Sequence, residues 1–231
     1  MGGIMKNKVR YNVEKFYYDN HRVYTNEDGG QYEEEVLNIY QNDENRFHDP
    51  IYNNPNAKRQ IYTFGCSWTY GWDLQQTQTF THLLGDENTA VYNYGAGGTG
   101  LDFAVKTLSE VYIPESRRQI FIITVPHFFR RTWFNDNGVV YKAWQVKEFV
   151  DVNEYNNYFY FLHHYNMLNR FVGRDKIIWG TWEEDLPRDK FDVVFECIDK
   201  TSDGLHPGPK AHKQYAEKLK EIIKEKYESI R

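Results

Sequence analysis

The feature that most constrains the fold is a series of short, nearly continuous apolar runs from residue 61 onward. These runs are "IYTF" (61–64), "VYNY" (91–94), "IFIITV" (120–125), "KIIWGT" (176–181) and "DVVFECI" (192–198). Such runs are typical of parallel strands that are buried on both faces of a sheet. Segments with helical potential separate or follow them, at about 76–85, 100–112, 153–172 and 209–227. The alternation predicts right-handed crossovers and a three-layer α/β/α sandwich with a mainly parallel, five-stranded sheet.

The segments outside this pattern suggest how the chain is divided. Residues 1–58 are rich in Tyr, Asn, Asp and Glu and show no sustained helical or strand period. We predict a loop-rich extension that packs on a main domain of residues 59–231, because disordered segments are poor in aromatic residues. A partly disordered arm is the alternative. The aromatic, irregular segment 126–152 predicts a surface insertion near the strand ends.

Charge and composition narrow the classes of partner. A net charge of −5 argues against nucleic acid, which requires a clustered basic surface. The two cysteines, Cys66 and Cys197, are too few for a disulfide framework, and we expect both to be reduced. The sequence has no signal-peptide pattern and no apolar stretch near the roughly 18 residues of a membrane span. We therefore expect a cytoplasmic protein without a membrane partner; the oligomeric state stays unknown.

The first candidate site residue is Ser67, in "GCSWTYG" (65–71), directly after the first apolar run. A serine between a strand and a helix has an exposed hydroxyl and nearby backbone N–H groups, the setting needed to attack a carbonyl and stabilise an oxyanion. An ordinary helix N-cap is the alternative, because serine is a preferred residue there. We expect Cys66 to face the core if Ser67 faces the cleft, since adjacent extended residues point to opposite sides.

The second candidate is the glycine-rich segment "NYGAGGTG" (93–100), which follows the second apolar run. Four glycines let the backbone approach another group closely and present N–H donors to an anion. A dinucleotide-binding loop is one rival interpretation, but the string does not match G-x-G-x-x-G in register and follows the second strand, not the first. A plain flexible turn is the other.

The third candidate is the pair Asp203 and His206 in "SDGLHPGPKAH" (202–212), between the last strand and the last helix. A nearby carboxylate can accept the Nδ1 proton of the imidazole and fix its tautomer, which leaves Nε2 to act as a base. A solvated surface pair is the alternative. All three candidates follow strands, where a parallel sheet gathers its functional residues, and this shared position favours one common site.

Together these segments resemble the SGNH, or GDSL-type, hydrolase superfamily. "FGCSWTYG" is similar to its first block, with Cys66 where many members have Asp; "NYGAGG" is similar to its second, and Asp203-Gly204-Leu205-His206-Pro207 matches its last. The resemblance spans roughly residues 60–227. It implies a flavodoxin-like SGNH hydrolase fold and a serine esterase without a cofactor, in which Ser67 is the nucleophile, His206 the base and Asp203 its orienter. The same resemblance assigns the oxyanion hole to Ser67 and Gly98.

One block departs from the family pattern. The family's third block carries an asparagine that donates to the oxyanion, but here the corresponding strand ends in "ITVPHFFRR" without one. His127 or Arg130 could replace it, or the backbone donors could act alone. Loss of one such donor costs roughly 100- to 1000-fold in rate.

Aromatic residues near these segments suggest the substrate. Trp68, Trp72 and Trp133 could stack on sugar rings or line an acyl pocket, although core packing is an equally good interpretation of each. We therefore expect a small-molecule or glycan ester as the partner, with a short acyl group such as acetate on a carbohydrate preferred. No histidine spacing suggests a zinc helix, so we predict no metal.

Two other functions remain open. An acyltransferase would use the same acyl-enzyme and pass the acyl group to a sugar hydroxyl in place of water. A glycan- or protein-binding module could have kept the fold without catalysis.

Overall fold

A computed structural model describes residues 23–25, 31–33, 54, 56–128, 130–134, 140–142, 154–182 and 186–228. Its strands are β1 (Val23–Thr25), β2 (Gln31–Glu33), β3 (Arg59–Gly65), β4 (Thr89–Gly95), β5 (Gln119–Val125), β6 (Thr132–Phe134), β7 (Val140–Lys142), β8 (Ile177–Thr181) and β9 (Val193–Val194). Its α-helices are α1 (Ser67–Tyr70), α2 (Phe80–Leu83), α3 (Leu101–Val111), α4 (Glu154–Leu168) and α5 (Pro209–Glu228). Short 3-10 turns cover Gln76–Gln78, Arg174–Lys176 and Arg188–Lys190, and one π-helical turn covers Asn169–Gly173.

The main sheet has five parallel strands in the order β4-β3-β5-β8-β9. The first strand of this sheet along the chain therefore lies between the second and the third, which is the flavodoxin-like order. All residues of β4, β5 and β8 are buried, as continuous apolar runs require. The predicted α/β class and mainly parallel five-stranded sheet are confirmed.

Helices cover both faces of this sheet, so the molecule has the predicted three layers. On one face, α3 and α4 pack on alternate strand residues such as Phe64, Tyr92 and Phe121. On the other face, α2 and α5 pack on Ile61, Val91 and Ile122 and their neighbours. The helix predicted at about 209–227 contributes to this second core, since Ala211, Tyr215, Leu219 and Ile223 of α5 are buried.

The strands end together at one edge of the sheet. Gly65 of β3 is the register partner of Gly95 of β4, and Val125 of β5 is the partner of Thr181 of β8. The segments that follow β3, β4 and β5 therefore begin at this edge, which we call the carboxyl edge. The candidate segments of Ser67 and of the glycines start directly at this edge. The segment of Asp203 and His206 follows β9, whose last residue, Val194, is the register partner of Thr181.

Two predicted elements are shorter than expected. The segment 76–85 is split into a 3-10 turn and the four-residue α2, with Thr79 between them accepting the His82 N–H (3.3 Å) as an N-cap. The run 192–198 forms only the two-residue β9. Its Phe195 N–H still reaches the Thr181 carbonyl (2.8 Å), but residues 196–198 are exposed, so the edge strand ends where burial ends.

The segments outside the main domain are described only in part. β1 and β2 pair in antiparallel fashion, with Tyr24 opposite Tyr32. At the end of the predicted extension, Ala57 is buried in the core of the main domain and the Asn54 side chain donates to the Glu87 carbonyl (3.0 Å). The packing of the rest of residues 1–58 stays a prediction. Of the predicted insertion 126–152, the described part includes an antiparallel pair of β6 and β7, with Trp133 opposite Tyr141.

Candidate active site

Ser67 is the first residue of α1, two positions after the end of β3. The N-cap position is taken by Cys66, whose side chain makes no capping hydrogen bond and is buried. The Ser67 hydroxyl lies 2.9 Å from Nε2 of His206, which comes from 139 residues further along the chain. The alternative of a capping serine therefore does not describe this position, and Cys66 faces the core as expected.

The imidazole of His206 links this serine to a carboxylate. Its Nδ1 lies 2.5 Å from Oδ2 of Asp203. An ionised carboxylate can only accept hydrogen bonds, so the proton of this contact is on Nδ1 when His206 is neutral. Nε2 is then free to accept the hydroxyl proton of Ser67, and the three side chains form a continuous hydrogen-bonded relay in which Asp203 stays ionised.

Asp203 is held in its ionised form by several donors. Its carboxylate accepts the Leu205 N–H (2.8 Å), the His206 N–H (3.0 Å) and the Thr201 hydroxyl (2.7 Å). Burial alone would raise the pKa of Asp203, but these hydrogen bonds and the one with the His206 ring hold that pKa well below its ordinary value. The carboxylate is therefore charged at neutral pH.

The loop that carries Asp203 and His206 is also fixed by its own backbone. The Thr201 N–H donates to the His206 carbonyl (2.8 Å), which closes the loop across its base. Asp199 accepts the N–H groups of Lys210 (3.0 Å) and Ala211 (2.6 Å) and so caps the start of α5. The loop is thus anchored to the helix that covers one face of the sheet.

Asn93 attaches the nucleophile segment to the sheet. It is buried in β4, and its amide nitrogen lies 3.3 Å from the Thr69 carbonyl and 3.2 Å from the Tyr70 carbonyl at the end of α1. The same nitrogen reaches the Thr81 hydroxyl (3.2 Å), and the amide oxygen accepts the Gly95 N–H (2.9 Å). The asparagine that begins "NYGAGG" therefore holds the end of α1 against β4.

The glycine-rich segment lies directly against the nucleophile turn. The Ala96 N–H donates to the Gly65 carbonyl (2.9 Å), and the Thr99 hydroxyl donates to the Ala96 carbonyl (2.7 Å). Gly98 has a φ of +72°, a left-handed conformation that glycine adopts without strain. The segment is therefore a hydrogen-bonded turn.

The two predicted oxyanion donors are the backbone N–H groups of Ser67 and Gly98. In the part of the chain that the structure describes, neither the Ser67 N–H nor the Gly98 N–H donates to a protein acceptor. The Ser67 N–H is unpaired because it belongs to the first turn of a helix. A tetrahedral oxyanion requires N–H donors of this kind next to the attacked carbonyl. The assignment of these two groups to an oxyanion hole stays a prediction.

The segment after β5 is held close to the glycine turn. A Cβ added to Gly100 would lie 2.3 Å from the Arg130 carbonyl oxygen, and the Gly100 N–H donates to the Thr132 hydroxyl (2.8 Å). His127 and Arg130 both line a small cavity together with Tyr160 and Phe161. The role of either side chain as a third oxyanion donor stays a prediction.

A half-buried carboxylate fixes this same segment. Both oxygens of Asp102, in the first turn of α3, accept the Thr132 N–H (3.1 and 2.8 Å). Burial raises the pKa of Asp102 above its ordinary value, against the lowering effect of its hydrogen bonds. The guanidinium of Arg131 lies 3.5 Å from the centre of the Tyr160 ring and also donates to Asn157 (2.8 Å). Arg131 therefore anchors the segment to α4.

The three predicted pocket tryptophans differ in their surroundings. Trp72 is half-buried, and its ring stacks on the His206 ring at 5.9 Å and 29°. Trp68 packs edge-on against Trp182, with 5.0 Å between the ring centres, beside the core on the α5 face of the sheet. This position agrees with the interpretation of Trp68 as a packing residue. Trp133 lies in β6, and its side chain is outside the described part.

Two contacts of the site were not anticipated from the sequence. The Ser202 hydroxyl donates to Oδ2 of Asp73 and joins the loop of His206 to the segment after α1. Asp73 has a φ of +61°, which is uncommon for a residue other than glycine. The second contact is the hydrogen bond from the Thr201 hydroxyl to Asp203. Their spacing of two residues is the one sequence feature that could have predicted it, because side chains so close along the chain often form local hydrogen bonds.

Metal and membrane features are absent from the described ranges. No group of three or more His, Cys, Asp or Glu side chains there could hold a metal ion. Nor does that part of the chain contain a helix with the length and apolar character needed to cross a bilayer.

The fold and the relay define a flavodoxin-like α/β protein with a Ser-His-Asp arrangement at the carboxyl edge of its sheet. Comparisons with protein-family models and with curated proteins gave no match. Among solved structures, the chain is similar to a member of the lipolytic protein G-D-S-L family from Veillonella parvula DSM 2008, with 13% identity, a TM-score of 0.47 and coverage of 71% of this chain and 98% of that one. It is also similar to TesA, with 14% identity, a TM-score of 0.45 and coverage of 73% and 99%.

Proposed function

We propose that the protein is a serine esterase that hydrolyses a carboxylic ester through an acyl-enzyme on Ser67. The observation that carries the proposal is the relay in which Nε2 of His206 faces the Ser67 hydroxyl at 2.9 Å while Nδ1 faces Asp203 at 2.5 Å. Both distances lie near the hydrogen-bond range that a nucleophile and its base need.

In the first half of the reaction, His206 takes the hydroxyl proton of Ser67 as the oxygen attacks the ester carbonyl. The negative charge that forms on the carbonyl oxygen is stabilised by the N–H groups of Ser67 and Gly98. Asp203, charged because its pKa is depressed, stabilises the imidazolium. The intermediate then collapses, the bond to the alcohol oxygen breaks, and the imidazolium gives its proton to the leaving alcohol.

In the second half, water attacks the acyl-enzyme. His206 accepts a proton from the water, the second tetrahedral intermediate forms on the same donors, and the bond to Ser67 breaks as its oxygen regains the proton. The products of this half are the carboxylic acid and the free enzyme. His206 accepts and returns the proton in each half of the reaction. The substrate we propose is a small-molecule or glycan ester, with a short acyl group such as an O-acetyl on a carbohydrate.

A fluorophosphonate probe tests this proposal, because it phosphonylates an activated serine much faster than an ordinary one. We expect wild-type protein to be labelled at Ser67 and to hydrolyse p-nitrophenyl acetate, and the Ser67→Ala variant to lose at least about 10⁴-fold in turnover, since the relay acts as a unit. Ser109→Ala, which changes an exposed serine on α3, is the matched control and should behave as wild type.

The outcomes also separate the rival functions. Unchanged ester turnover in Ser67→Ala would refute the mechanism. A wild-type protein that neither labels nor hydrolyses esters would point to a binding module. A protein that labels but forms an ester only when a sugar acceptor is added would be an acyltransferase.

A further inference from the structure

Gly97 lies beside the proposed nucleophile with no side chain of its own. A Cβ placed on Gly97 would be 4.0 Å from the Cβ of Ser67 and 3.8 Å from Cζ3 of Trp72. Both distances are ordinary van der Waals contacts, so the missing side chain would point into the space between the serine and the indole ring. Gly97 itself is only half-buried, and this space is therefore open to solvent on one side.

Trp72 is a fixed wall of this space. Its ring stacks on His206 (5.9 Å between ring centres) and packs at a tilt against Tyr70 (6.4 Å). It also packs against the core cluster on the α3 and α4 face of the sheet. An aromatic ring held from several sides presents a rigid apolar surface to whatever occupies the space beside Ser67.

The groups around Ser67 leave a particular direction for the acyl chain. In a tetrahedral intermediate the oxyanion points to the N–H groups of Ser67 and Gly98, and the leaving oxygen points to Nε2 of His206, which must protonate it. The remaining substituent is the acyl group, and the space between Gly97 and Trp72 adjoins the serine.

We infer that Gly97 and Trp72 form the acyl subsite and that the absent side chain at position 97 sets the size of the acyl group the enzyme accepts. This inference rests on the proposed function and names the specificity-determining residues of that same site. The subsite takes a short aliphatic acyl chain, which packs on the face of Trp72.

An alanine at position 97 should fit the backbone. Gly97 is not among the glycines whose φ lies in the left-handed region, and its added Cβ makes no contact shorter than 3.8 Å. The variant therefore adds one methyl group to the subsite without forcing the nucleophile to move. One methyl group in an apolar pocket changes the preference between two substrates by roughly 10-fold or more.

The test measures kcat/KM for two substrate series in wild-type, Gly97→Ala, Trp72→Ala and Ser109→Ala proteins. The first series is p-nitrophenyl acetate, butyrate and hexanoate, which differ only in the acyl group. The second is phenyl, p-nitrophenyl and naphthyl acetate, which differ only in the alcohol. Fluorophosphonate labelling of each variant checks that the nucleophile is intact.

We expect Gly97→Ala to lower the butyrate-to-acetate ratio of kcat/KM by about 10-fold or more. We expect Trp72→Ala, which removes the wall that limits the length of the chain, to raise the hexanoate-to-acetate ratio. Neither variant should change the ratios within the alcohol series, and Ser109→Ala should match wild type in both. If Gly97→Ala folds poorly, the opposite shift in Trp72→Ala still decides the question.

Three results would overturn the inference. An unchanged acyl profile in labelled Gly97→Ala and Trp72→Ala proteins removes the acyl subsite but leaves the esterase proposal standing. A change confined to the alcohol series assigns the space to the leaving group and does the same. A wild-type protein that neither labels nor turns over any ester removes the proposed function and this inference with it.

Discussion

Replacement of Asn93 by alanine should destabilise the protein strongly, because this amide is a buried connection between the sheet and the nucleophile segment. The amide nitrogen has two hydrogens and three acceptors at 3.2 to 3.3 Å, and the amide oxygen accepts the Gly95 N–H at 2.9 Å. At least three hydrogen bonds are therefore lost in Asn93→Ala.

The expected size of the effect follows from these bonds. Each is worth about 1 kcal/mol net, so their loss costs about 3 kcal/mol. The carbonyl and N–H partners stay buried after the substitution, and the desolvation of unpaired groups raises the expected loss toward about 5 kcal/mol. That range is a large fraction of the 5 to 15 kcal/mol typical of folded proteins.

Urea unfolding followed by tryptophan fluorescence measures this loss as a lower midpoint. Asn88→Ala is a matched control, since Asn88 is an exposed asparagine just before β4 and its replacement should change the free energy of unfolding by less than about 0.5 kcal/mol. A loss below about 1 kcal/mol in Asn93→Ala, with an unchanged slope, would refute the idea that this amide holds α1 on the sheet.

Two further predictions concern the site. In Gly95→Ala the added Cβ would lie 2.3 Å from the Tyr70 nitrogen, so α1 and Ser67 must move. We therefore expect ester turnover to fall about 100-fold or the protein to fail to fold, and wild-type turnover in this variant would contradict the prediction. The folded pKa of Asp203 is depressed, so its ionised form stabilises the protein above about pH 4, and this contribution is lost as pH falls through the lower folded value. The difference in unfolding free energy between wild type and Asp203→Asn should therefore be constant from pH 7 to 5 and shrink at more acidic pH in urea titrations, and a difference that grows on acidification would contradict it.

The strands of the sheet were predictable from the sequence because they are buried on both faces and therefore consist of nearly continuous apolar runs. Runs such as 91–94 and 120–125 have few polar residues, and this composition matches β4 and β5, which are buried throughout. The length of the edge strand β9 was predicted to be greater than it is, because an apolar run in the sequence does not show where burial stops. Val193 is buried, but the residues after Phe195 are exposed although "ECI" continues the run.

The proximity of the site residues was predictable only in part. Asp203 and His206 are three residues apart, so their pairing is a local property of one loop. The contact of His206 with Ser67 followed from the rule that strand ends gather at one edge of a parallel sheet. The bond between Asp73 and Ser202 depends on how two exposed loops meet, and no residue pattern in either loop encodes the other.

The link between Ser67 and His206 joins positions 139 residues apart. The chain between them includes four of the five strands of the main sheet, β4, β5, β8 and β9. A contact of such long range forms late, because the loop entropy of the intervening chain must be lost before the contact can exist. The rate at which Ser67 becomes reactive to a fluorophosphonate after dilution from urea would therefore time the completion of the whole domain. The proposed nucleophile would then also report the rate at which the native domain forms.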